Sequence, residues 1–203
     1  MFTNVFRLYS ADLRKSINEE IHLGNLVCKG NPLHYTYLII DGSKLSLVLD
    51  NYKEEDTLTK PIENENFEDF KDGVDYAGKG INARKLYHLL EAKKILDSGI
   101  TDLSIINEKY RKIIQIWARG DGIVLLHLFT ETNHFESMAR EYAIIKALGI
   151  KNITNKINGS PYGTMKTKWN DIEIINYGNM ILYNALKMVI QENPPLIYPQ
   201  DLK

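Results

Sequence analysis

The sequence predicts an α+β domain built on a small, mostly antiparallel sheet of three strands that is flanked by helices. Short segments rich in β-branched, aromatic or apolar residues predict the strands, namely 35–40, 74–77 and 123–129. Longer segments with apolar residues at helical spacing lie between and after them. The chain has 203 residues, of which 44% are hydrophobic, so it can bury one substantial core. We therefore expect one core domain, residues 34–163, with helical extensions at 1–33 and 164–203.

The N-terminal part of the chain is predicted to contain one helix and the first strand. Apolar residues recur at near-helical spacing and predict a helix over about 10–22. The strongest strand pattern covers 34–40 and ends at the turn formed by Asp41 and Gly42. We predict a further strand at 45–49, which follows as a hairpin or as an edge of the sheet.

Residues 51–72 form a polar, acidic insertion in the core domain. Residues 53–72 carry a net charge of −5 and residues 73–170 carry +6, although the formal net charge of the whole chain is −1. The polar and acidic composition of the insertion predicts a long loop with one short helix near 66–70. A basic body suits phosphate binding, and a solvated lysine-rich surface is the alternative interpretation. We expect the insertion either to lie beside the basic surface as an electrostatic gate or to point into solvent.

The segment 74–91 combines a strand, glycines, basic residues and a helix start. The strand at 74–77 is interrupted by residues 78–80, and Asn82 is placed to cap a helix over 82–97. Glycine lets a backbone approach an anion closely, and the N-terminus of a helix offers unpaired N–H groups. The segment therefore suits phosphate binding.

A nucleotide-binding P-loop is one interpretation of this segment. Gly73 to Lys79 match the G-x-x-x-x-G-K spacing of that motif. Gly80 stands where the motif needs Ser or Thr, and no hydrophobic strand precedes Gly73. We therefore reject the P-loop.

The remaining chain is predicted to alternate helices with one strand. In order these are a helix that opens at Thr101 or Asp102 and runs to about 118, a buried strand over 123–129, a helix over 134–148 capped by Thr132 or Asn133, an irregular loop over 155–163, and an amphipathic helix over 171–190.

Composition also bears on the compartment. The single cysteine, Cys28, excludes an intramolecular disulfide framework and a cysteine zinc site. No run approaches the roughly 18 uncharged apolar residues of a membrane span, and the first 15 residues lack a continuous apolar segment of a signal peptide. We expect an intracellular, soluble protein, nuclear or cytoplasmic, that does not bind membranes.

An ordered set of residues resembles the GIY-YIG nuclease family across residues 34–159. The set comprises Tyr35-Thr36-Tyr37 on one strand, Tyr76-Ala77-Gly78 on the next, Arg84 in the following helix, Glu141 in a later helix and Asn155 in a loop. Three longer segments, GKGINARKLYHLLEA, KIIQIWARGDGIVLLHLF and ESMAREYAIIKALGIKNITNKINGSPYG, are similar to the nuclease domain of the ankyrin-and-LEM-domain endonucleases of animals. The 33 residues before His34 are too few for ankyrin repeats together with a LEM domain, so the resemblance concerns the catalytic domain.

The resemblance implies a site for phosphodiester hydrolysis. It implies that Glu141 binds one divalent ion, Mg²⁺ or Mn²⁺, because a single carboxylate leaves positions for water and phosphate oxygens. It implies that Arg84 grips the scissile phosphate, and that Tyr37 or Tyr76 orients or deprotonates the attacking water. A phenol with a pKa near 10 is a poor base, so Lys79, Arg84 or the metal has to favour the phenolate.

Four further residues complete the predicted site. His88, one helical turn beyond Arg84, is the alternative base or a phosphate donor. Gly78 and Lys79 are expected to contact the substrate, and Asn155 to organise the loop near the metal. The other histidines of the core domain have no spacing that suggests a metal cluster: His34, His127 and His134.

The predicted function is a divalent-metal-dependent endonuclease that cleaves DNA, with branched or distorted DNA as the substrate that the resemblance suggests. Two departures from the family pattern support a rival hypothesis. Tyr35 and Thr36 stand where the family has Gly and usually Ile, and Asp75 stands where related domains usually carry an apolar residue. The rival is a catalytically degenerate nucleic-acid-binding or scaffold protein that retains the fold. The sequence leaves the oligomeric state open.

Overall fold

A computed structural model describes residues 2–27, 33–52 and 62–203 of the chain. The strands are β1 (His34–Asp41), β2 (Val74–Gly80) and β3 (Ile123–Thr132). The helices are α1 (Phe2–His22), α2 (Gly42–Asp50), α3 (Asn64–Gly73), α4 (Arg84–Asp97), α5 (Glu108–Ala118), α6 (His134–Leu148), α7 (Thr164–Thr167) and α8 (Asp171–Glu192). Two short 3-10 turns cover Leu103–Ile105 and Pro199–Asp201.

The three strands form one antiparallel sheet in the order β2-β1-β3. Because β1 lies in the middle, Tyr37 is opposite Gly78 on one side and His127 on the other. All residues of β1 after the first are buried. The predicted α+β class and the three-stranded antiparallel sheet are confirmed.

The two faces of the sheet pack against different helices. Tyr35, Tyr37 and Ile39 pack with α4 and α5, whereas Leu38 and Ile40 pack with α6 and α8. This division follows from the strand geometry, in which successive side chains point to opposite faces. The face that carries the tyrosines is therefore covered by α4 and α5.

β2 contains a bulge at Asp75. Ile39 of β1 pairs with Tyr76, and the next residue, Ile40, pairs with Val74, so Asp75 is an extra residue opposite β1. Val74 packs in the core formed with α6 and α8, whereas Asp75 and Tyr76 both reach toward α5. The bulge thus turns two neighbouring polar side chains to the same face of the sheet.

The strand predicted at 45–49 is wrong, because this segment belongs to helix α2. Asp41 caps the helix: its carboxylate accepts hydrogen bonds from the backbone N–H of Ser43 at 3.1 Å and from the Ser43 hydroxyl at 2.8 Å. Leu45 and Val48, three residues apart, are buried on one side of the helix. The cap and this packing outweigh the β-like composition of the segment.

The predicted break at residues 78–80 is also wrong, since β2 continues through Gly80, which pairs with Tyr35. Helix α4 begins at Arg84, and Asn82 does not cap it. Asn82 adopts a left-handed backbone with a φ of 49°, and its carbonyl oxygen accepts a hydrogen bond from the Tyr35 hydroxyl at 2.7 Å. A side chain from β1 therefore fixes the loop that precedes α4.

Other boundaries shift without a change in the type of element. α1 begins at Phe2 rather than near residue 10. The helix predicted to end at residue 118 is divided, because a 3-10 turn capped by Asp102 precedes α5, which Asn107 caps. α6 and α8 lie where the sequence predicts them, and Asn133, not Thr132, caps α6.

The acidic insertion lies partly within the described residues. Its residues 53–61 lie outside them, whereas its last part forms helix α3, longer than the helix predicted near 66–70. Phe70 of α3 is buried in the main core, and α3 packs on α2 and α8. The described part of the insertion is thus mainly a core-packed helix, and the electrostatic gate over residues 53–72 stays a prediction.

The N-terminal helix shares the core of the sheet. α1 buries Leu13 and Ile17 in that core and packs on α6, α7 and α8. The division of the chain at residues 33 and 163 stays a prediction. Of the helices in the described part of the chain, none is long and apolar enough to cross a membrane.

Candidate active site

The predicted site residues converge at the free edge of β2, where side chains from both faces of the sheet meet. Tyr37 lies on β1, Tyr76, Gly78 and Lys79 on β2, Arg84 and His88 on α4, Glu141 on α6, and Asn155 in the loop that follows α6. A cavity of about 240 Å³ opens at this edge, and its lining includes Tyr76, Glu141 and Asn155. The tertiary structure therefore gathers residues that the sequence spreads over more than a hundred positions.

Tyr37 and Tyr76 form the centre of the site, with ring centroids 6.0 Å apart. Burial, together with Tyr76 and Glu141, raises the pKa of Tyr37 far above its usual value. Burial and Glu141 raise the pKa of Tyr76 to about 12, although the Tyr37 hydroxyl and Arg84 oppose this effect. Both phenols are protonated at neutral pH when no metal is bound. Either hydroxyl can orient a water molecule, and neither is a ready base.

Gly78 is required by the close packing of the two tyrosines. A Cβ atom at this position would lie 2.6 Å from Cζ of Tyr37 and 2.7 Å from Cε1 of Tyr76. At Gly80, a Cβ atom would lie 2.9 Å from the hydroxyl oxygen of Tyr35. The structure thus gives Gly78 a packing role, and its contact with substrate stays a prediction.

Glu141 lines the cavity from α6. Burial raises the pKa of its carboxyl to about 7, while Lys79, Arg84 and Lys109 act in the opposite direction. The backbone N–H of Lys79 also donates to this carboxylate. Within the described part of the chain, no cationic side chain forms an ion pair with Glu141. The carboxylate is thus partly desolvated, and none of the described side chains is a counterion in direct contact with it.

Asn155 holds the loop after α6 against the free edge of β2. Its Oδ1 accepts a hydrogen bond from the Ala77 N–H at 3.1 Å, and its Nδ2 donates to the Ala77 carbonyl at 2.7 Å. The backbone N–H and the hydroxyl of Thr154 donate to the Asp75 carbonyl at 2.8 and 2.9 Å. Because both polar atoms of the Asn155 side chain are engaged, its role here is to position the loop beside Glu141.

Arg84 and Lys79 supply positive charge next to the tyrosines. Arg84 is exposed in the first turn of α4, and its charge lowers the pKa of Tyr76 and of Glu141. Lys79 is half-buried, and burial lowers its pKa, with Glu141 opposing and Arg84 adding to the effect. An exposed guanidinium beside this carboxylate can bind phosphate oxygens from the solvent side.

His88 lies among aromatic rings. Its ring centroid is 5.2 Å from that of Tyr76 and 6.2 Å from that of Tyr37. Its Nε2 lies 3.1 Å from Nζ of Lys109. Burial, Lys109 and Arg84 lower the pKa of His88 to about 4, so the imidazole is neutral at neutral pH.

Sequence reasoning missed Lys109 of α5. Its Nζ lies 4.3 Å from the ring centroid of Tyr76, and its side chain lines the cavity with Glu141 and Lys156. Burial and Arg84 lower the pKa of Lys109 to about 8, whereas Glu141 acts to raise it. The sequence carried no signal for this residue, because the predicted helix opens at Thr101 or Asp102, whereas in the structure Lys109 lies in the first turn of α5, where a lysine opposes the helix dipole. Such a residue needs a reason other than helix stability.

The departures from the family pattern are accommodated. Tyr35 is anchored by its hydroxyl to the loop before α4, and Thr36 is fully buried on the opposite face of β1. The Asp75 carboxylate lies 3.4 Å from Nζ of Lys112 on α5. Burial raises the pKa of Asp75 to about 6, and Lys112 opposes this shift. None of these residues displaces Tyr37 or Tyr76 from the site.

A family model for the LEM-3-like GIY-YIG domain matches residues 34–203. The match includes all three strands and every residue of the site described above. The chain belongs to the LEM-3-like GIY-YIG nuclease family. The matched residues of this GIY-YIG domain extend through the C-terminal helices.

Three curated relatives are similar to this GIY-YIG chain. Ankyrin repeat and LEM domain-containing protein 1 from Homo sapiens is 33% identical over 139 residues, which are 68% of this chain and 22% of the relative. The protein of the same name from Mus musculus is 33% identical over 134 residues, with coverages of 66% and 24%. The homolog from Caenorhabditis elegans is 32% identical over 141 residues, with coverages of 70% and 20%. The chain therefore spans a fifth to a quarter of the length of these relatives. No solved structure matches it.

Proposed function

We propose that the protein is a divalent-metal-dependent endonuclease that hydrolyses phosphodiester bonds in DNA. The observation that carries this proposal is the convergence of the two tyrosines, Arg84 and Glu141 at the edge of β2 in a GIY-YIG nuclease chain. Hydrolysis needs an oriented water molecule, a group that grips the phosphate, and stabilisation of the charge that develops on its oxygens. These residues supply the three requirements.

In the proposed reaction a water oxygen attacks phosphorus and the bond from phosphorus to one ester oxygen breaks. The attacking water releases one proton to the solvent, and the leaving oxygen takes up one proton from the solvent. Tyr76 orients the water through its hydroxyl, and the neighbouring hydroxyl of Tyr37 restrains Tyr76. Because both phenols stay protonated at neutral pH, the two tyrosines orient the water and do not act as a general base.

The cationic residues of the site bind the phosphate group. In this proposal the planar guanidinium of Arg84 contacts two non-bridging oxygens, a geometry that Lys cannot reproduce. Lys109 and Lys156 line the same cavity and add positive charge. His88 accepts a hydrogen bond from Lys109, so its role is to position that lysine.

Glu141 fits a hard divalent ion such as Mg²⁺ or Mn²⁺. Its carboxylate is partly desolvated, has no ion pair within the described residues, and lines a cavity with room for water. A bound ion would supply Lewis-acid stabilisation of charge on the phosphate oxygens. A dense metal cluster does not fit, since no group of three or more His, Cys, Asp or Glu side chains that could hold a metal occurs among the residues that the structure describes. One protein carboxylate leaves the other positions of the ion to water and substrate.

The DNA substrate is proposed from the charge of the domain and from its family. Residues 73–170 carry a net charge of +6, which suits a polyanion. Branched or distorted DNA is the form that the family resemblance suggests. The rival hypothesis of a degenerate scaffold rests on Tyr35, Thr36 and Asp75, and these residues leave Tyr37 and Tyr76 in place.

A cleavage assay on single-stranded, duplex, flap and four-way-junction DNA, with Mg²⁺ or Mn²⁺, tests the proposal. We expect the wild type to cleave at least one substrate and to lose activity in EDTA. Glu141→Gln should abolish cleavage and keep DNA binding, because the amide retains the volume and loses the metal-binding charge. Glu192→Gln, an exposed change at the end of α8, is the matched control. Wild-type protein that cleaves none of these substrates, or Glu141→Gln with normal turnover, contradicts the proposal.

A further inference from the structure

Two histidines that the family pattern does not indicate meet Lys79 of the candidate active site. His34 is the first residue of β1 and His134 is the first residue of α6. Their ring centroids are 5.0 Å apart, and both side chains are half-buried. Lys79 of β2 acts on both of them electrostatically. We name these three residues the basic triplet.

The three residues lie on the same side of the sheet for a simple geometric reason. Thr36 pairs with Lys79, and His34 precedes Thr36 by two residues, so His34 and Lys79 project from the same face. α6 covers this face and starts at His134. The basic triplet is therefore held by two strands and a helix, which are rigid elements.

The charged groups that act on the two histidines of the triplet are cationic, whereas the Glu141 carboxylate acts on Lys79. Burial, His134 and Lys79 lower the pKa of His34. Burial and Lys79 lower the pKa of His134. The charged groups that act on the pair are thus each other and Lys79, with no carboxylate of the described residues among them. The first turn of α6 adds the positive end of a helix dipole. An anion bound here would relieve the repulsion and favour protonation of both imidazoles.

The triplet lies in line with Glu141 along α6. Glu141 follows His134 by seven residues, which is almost two full turns, so both side chains leave the helix on the same side. Seven residues span about 10 Å of helix. Lys79 connects the two positions, because its backbone N–H donates to Glu141 while its charge acts on both histidines. An anion on the triplet would therefore lie near the cleavage site.

We propose that His34, His134 and Lys79 form a second phosphate subsite, which binds a backbone phosphate of the same DNA strand beside the scissile phosphate. This inference rests on the proposed nuclease function. The subsite fixes the register of the strand and takes up protons as it binds.

The test measures DNA binding by fluorescence anisotropy without metal, in the 203-residue chain that carries Glu141→Gln, from pH 5.5 to 8. We expect affinity to rise as the pH falls, because the histidines must protonate to hold the phosphate. Adding His34→Gln and His134→Gln should weaken binding about tenfold at pH 6 and much less at pH 8. The double change should also lower the salt slope of binding by about 0.9, which corresponds to one phosphate contact.

His22→Gln is the matched control, because His22 is exposed at the end of α1. It should bind DNA like the parent at every pH. If the double change destabilises the fold in a thermal melt, His134→Gln alone should weaken binding about threefold at pH 6, since this position starts a helix and leaves the sheet intact. The subsite is overturned if the double change binds DNA with the same affinity, pH dependence and salt slope as the control.

Three further outcomes distinguish this subsite from a free-phosphate site and from a failure of the proposed nuclease function. If NMR signals of His34 and His134 move with inorganic phosphate while the double change leaves DNA affinity unaltered, the triplet is a free-phosphate site and the DNA assignment is wrong. If wild-type protein binds and cleaves DNA, and the double change has no effect, only the subsite is overturned. If wild-type protein neither binds nor cleaves DNA, the nuclease function and the subsite are both overturned.

Discussion

The side-chain nitrogen of Lys109 lies 3.1 Å from Nε2 of His88. An ammonium group has only donors, so Nε2 of His88 accepts this hydrogen bond and the ring proton resides on Nδ1. The lone pair that a general base would use at Nε2 is therefore occupied while Lys109 is protonated. His88 and Lys109 form one unit, in which the histidine positions a cation over the ring of Tyr76.

Replacing Lys109 with Met should raise the pKa of His88 above its value of about 4. Lys109 is one cause of the lowered value, and burial, the larger cause, remains, so the pKa should stay below 6.5. Titration of the His88 ring by NMR measures this change. Lys93→Met, on the outside of α4 where Lys93 pairs with Asp97, is the control and should leave the titration unaltered. If the pKa of His88 does not change in Lys109→Met, His88 and Lys109 do not form one unit.

Arg84→Lys should reduce turnover at least about tenfold, which is roughly 1.4 kcal/mol of transition-state stabilisation. The positive charge stays, and the planar fork that contacts two phosphate oxygens is lost. Single-turnover cleavage rates measure the effect. Arg111→Lys, at a surface position of α5 where Arg111 lies 4.0 Å from Glu108, should retain the wild-type rate. Equal rates for the two variants would make Arg84 an ordinary surface charge.

Gly78→Ala should lower activity at least about tenfold, because the new methyl group must displace the rings of Tyr37 or Tyr76 from 2.6 and 2.7 Å contacts. We also expect a loss of about 1–3 kcal/mol in the free energy of unfolding. Gly73→Ala is the matched control, since a Cβ there meets Lys44 Cβ at an ordinary 3.4 Å. Steady-state kinetics and denaturant unfolding provide the two readouts. If Gly78→Ala has the same activity and the same free energy of unfolding as this control, Gly78 has no packing role.

Asp75→Asn should stabilise the protein above pH 6. The pKa of Asp75 is raised from 3.8 to about 6, mainly by burial. The folded protein therefore holds the proton more tightly than the unfolded chain, and ionisation costs stability as the pH rises through this window. The gain should be absent below about pH 4 and at most about 3 kcal/mol above pH 6, reduced by the loss of the Lys112 partner.

Denaturant unfolding from pH 4 to 8 measures this gain. Asp97→Asn, a surface change, is the control and should shift stability by less than about 1 kcal/mol at every pH. Wild-type protein that is more stable than Asp75→Asn at pH 8 would show that the Lys112 contact outweighs the cost of burial.

Local patterns in the sequence were enough for the sheet and for most helices. The apolar run of β3 and the β-branched and aromatic residues of β1 identify buried strands, since no neighbouring pattern competes with them. The chemistry of the site and the family were indicated by residue types and their order along the chain, namely Tyr37, Tyr76, Arg84 and Glu141. Where two local signals competed, as in α2, the hydrogen bonds of Asp41 with Ser43 and the burial of Leu45 decided for helix.

The sequence by itself determined the fold class, the family and the residues that supply the proposed chemistry, because these depend on composition and order along the chain. Only the tertiary structure decided which side chains meet. The bulge at Asp75 depends on pairing with β1. The hydrogen bond between Asn155 and Ala77 joins residues 78 positions apart, and the contact between Lys109 and His88 joins residues 21 positions apart. Such contacts arise from the packing of whole elements against one another, and no pattern within a single helix or strand records them.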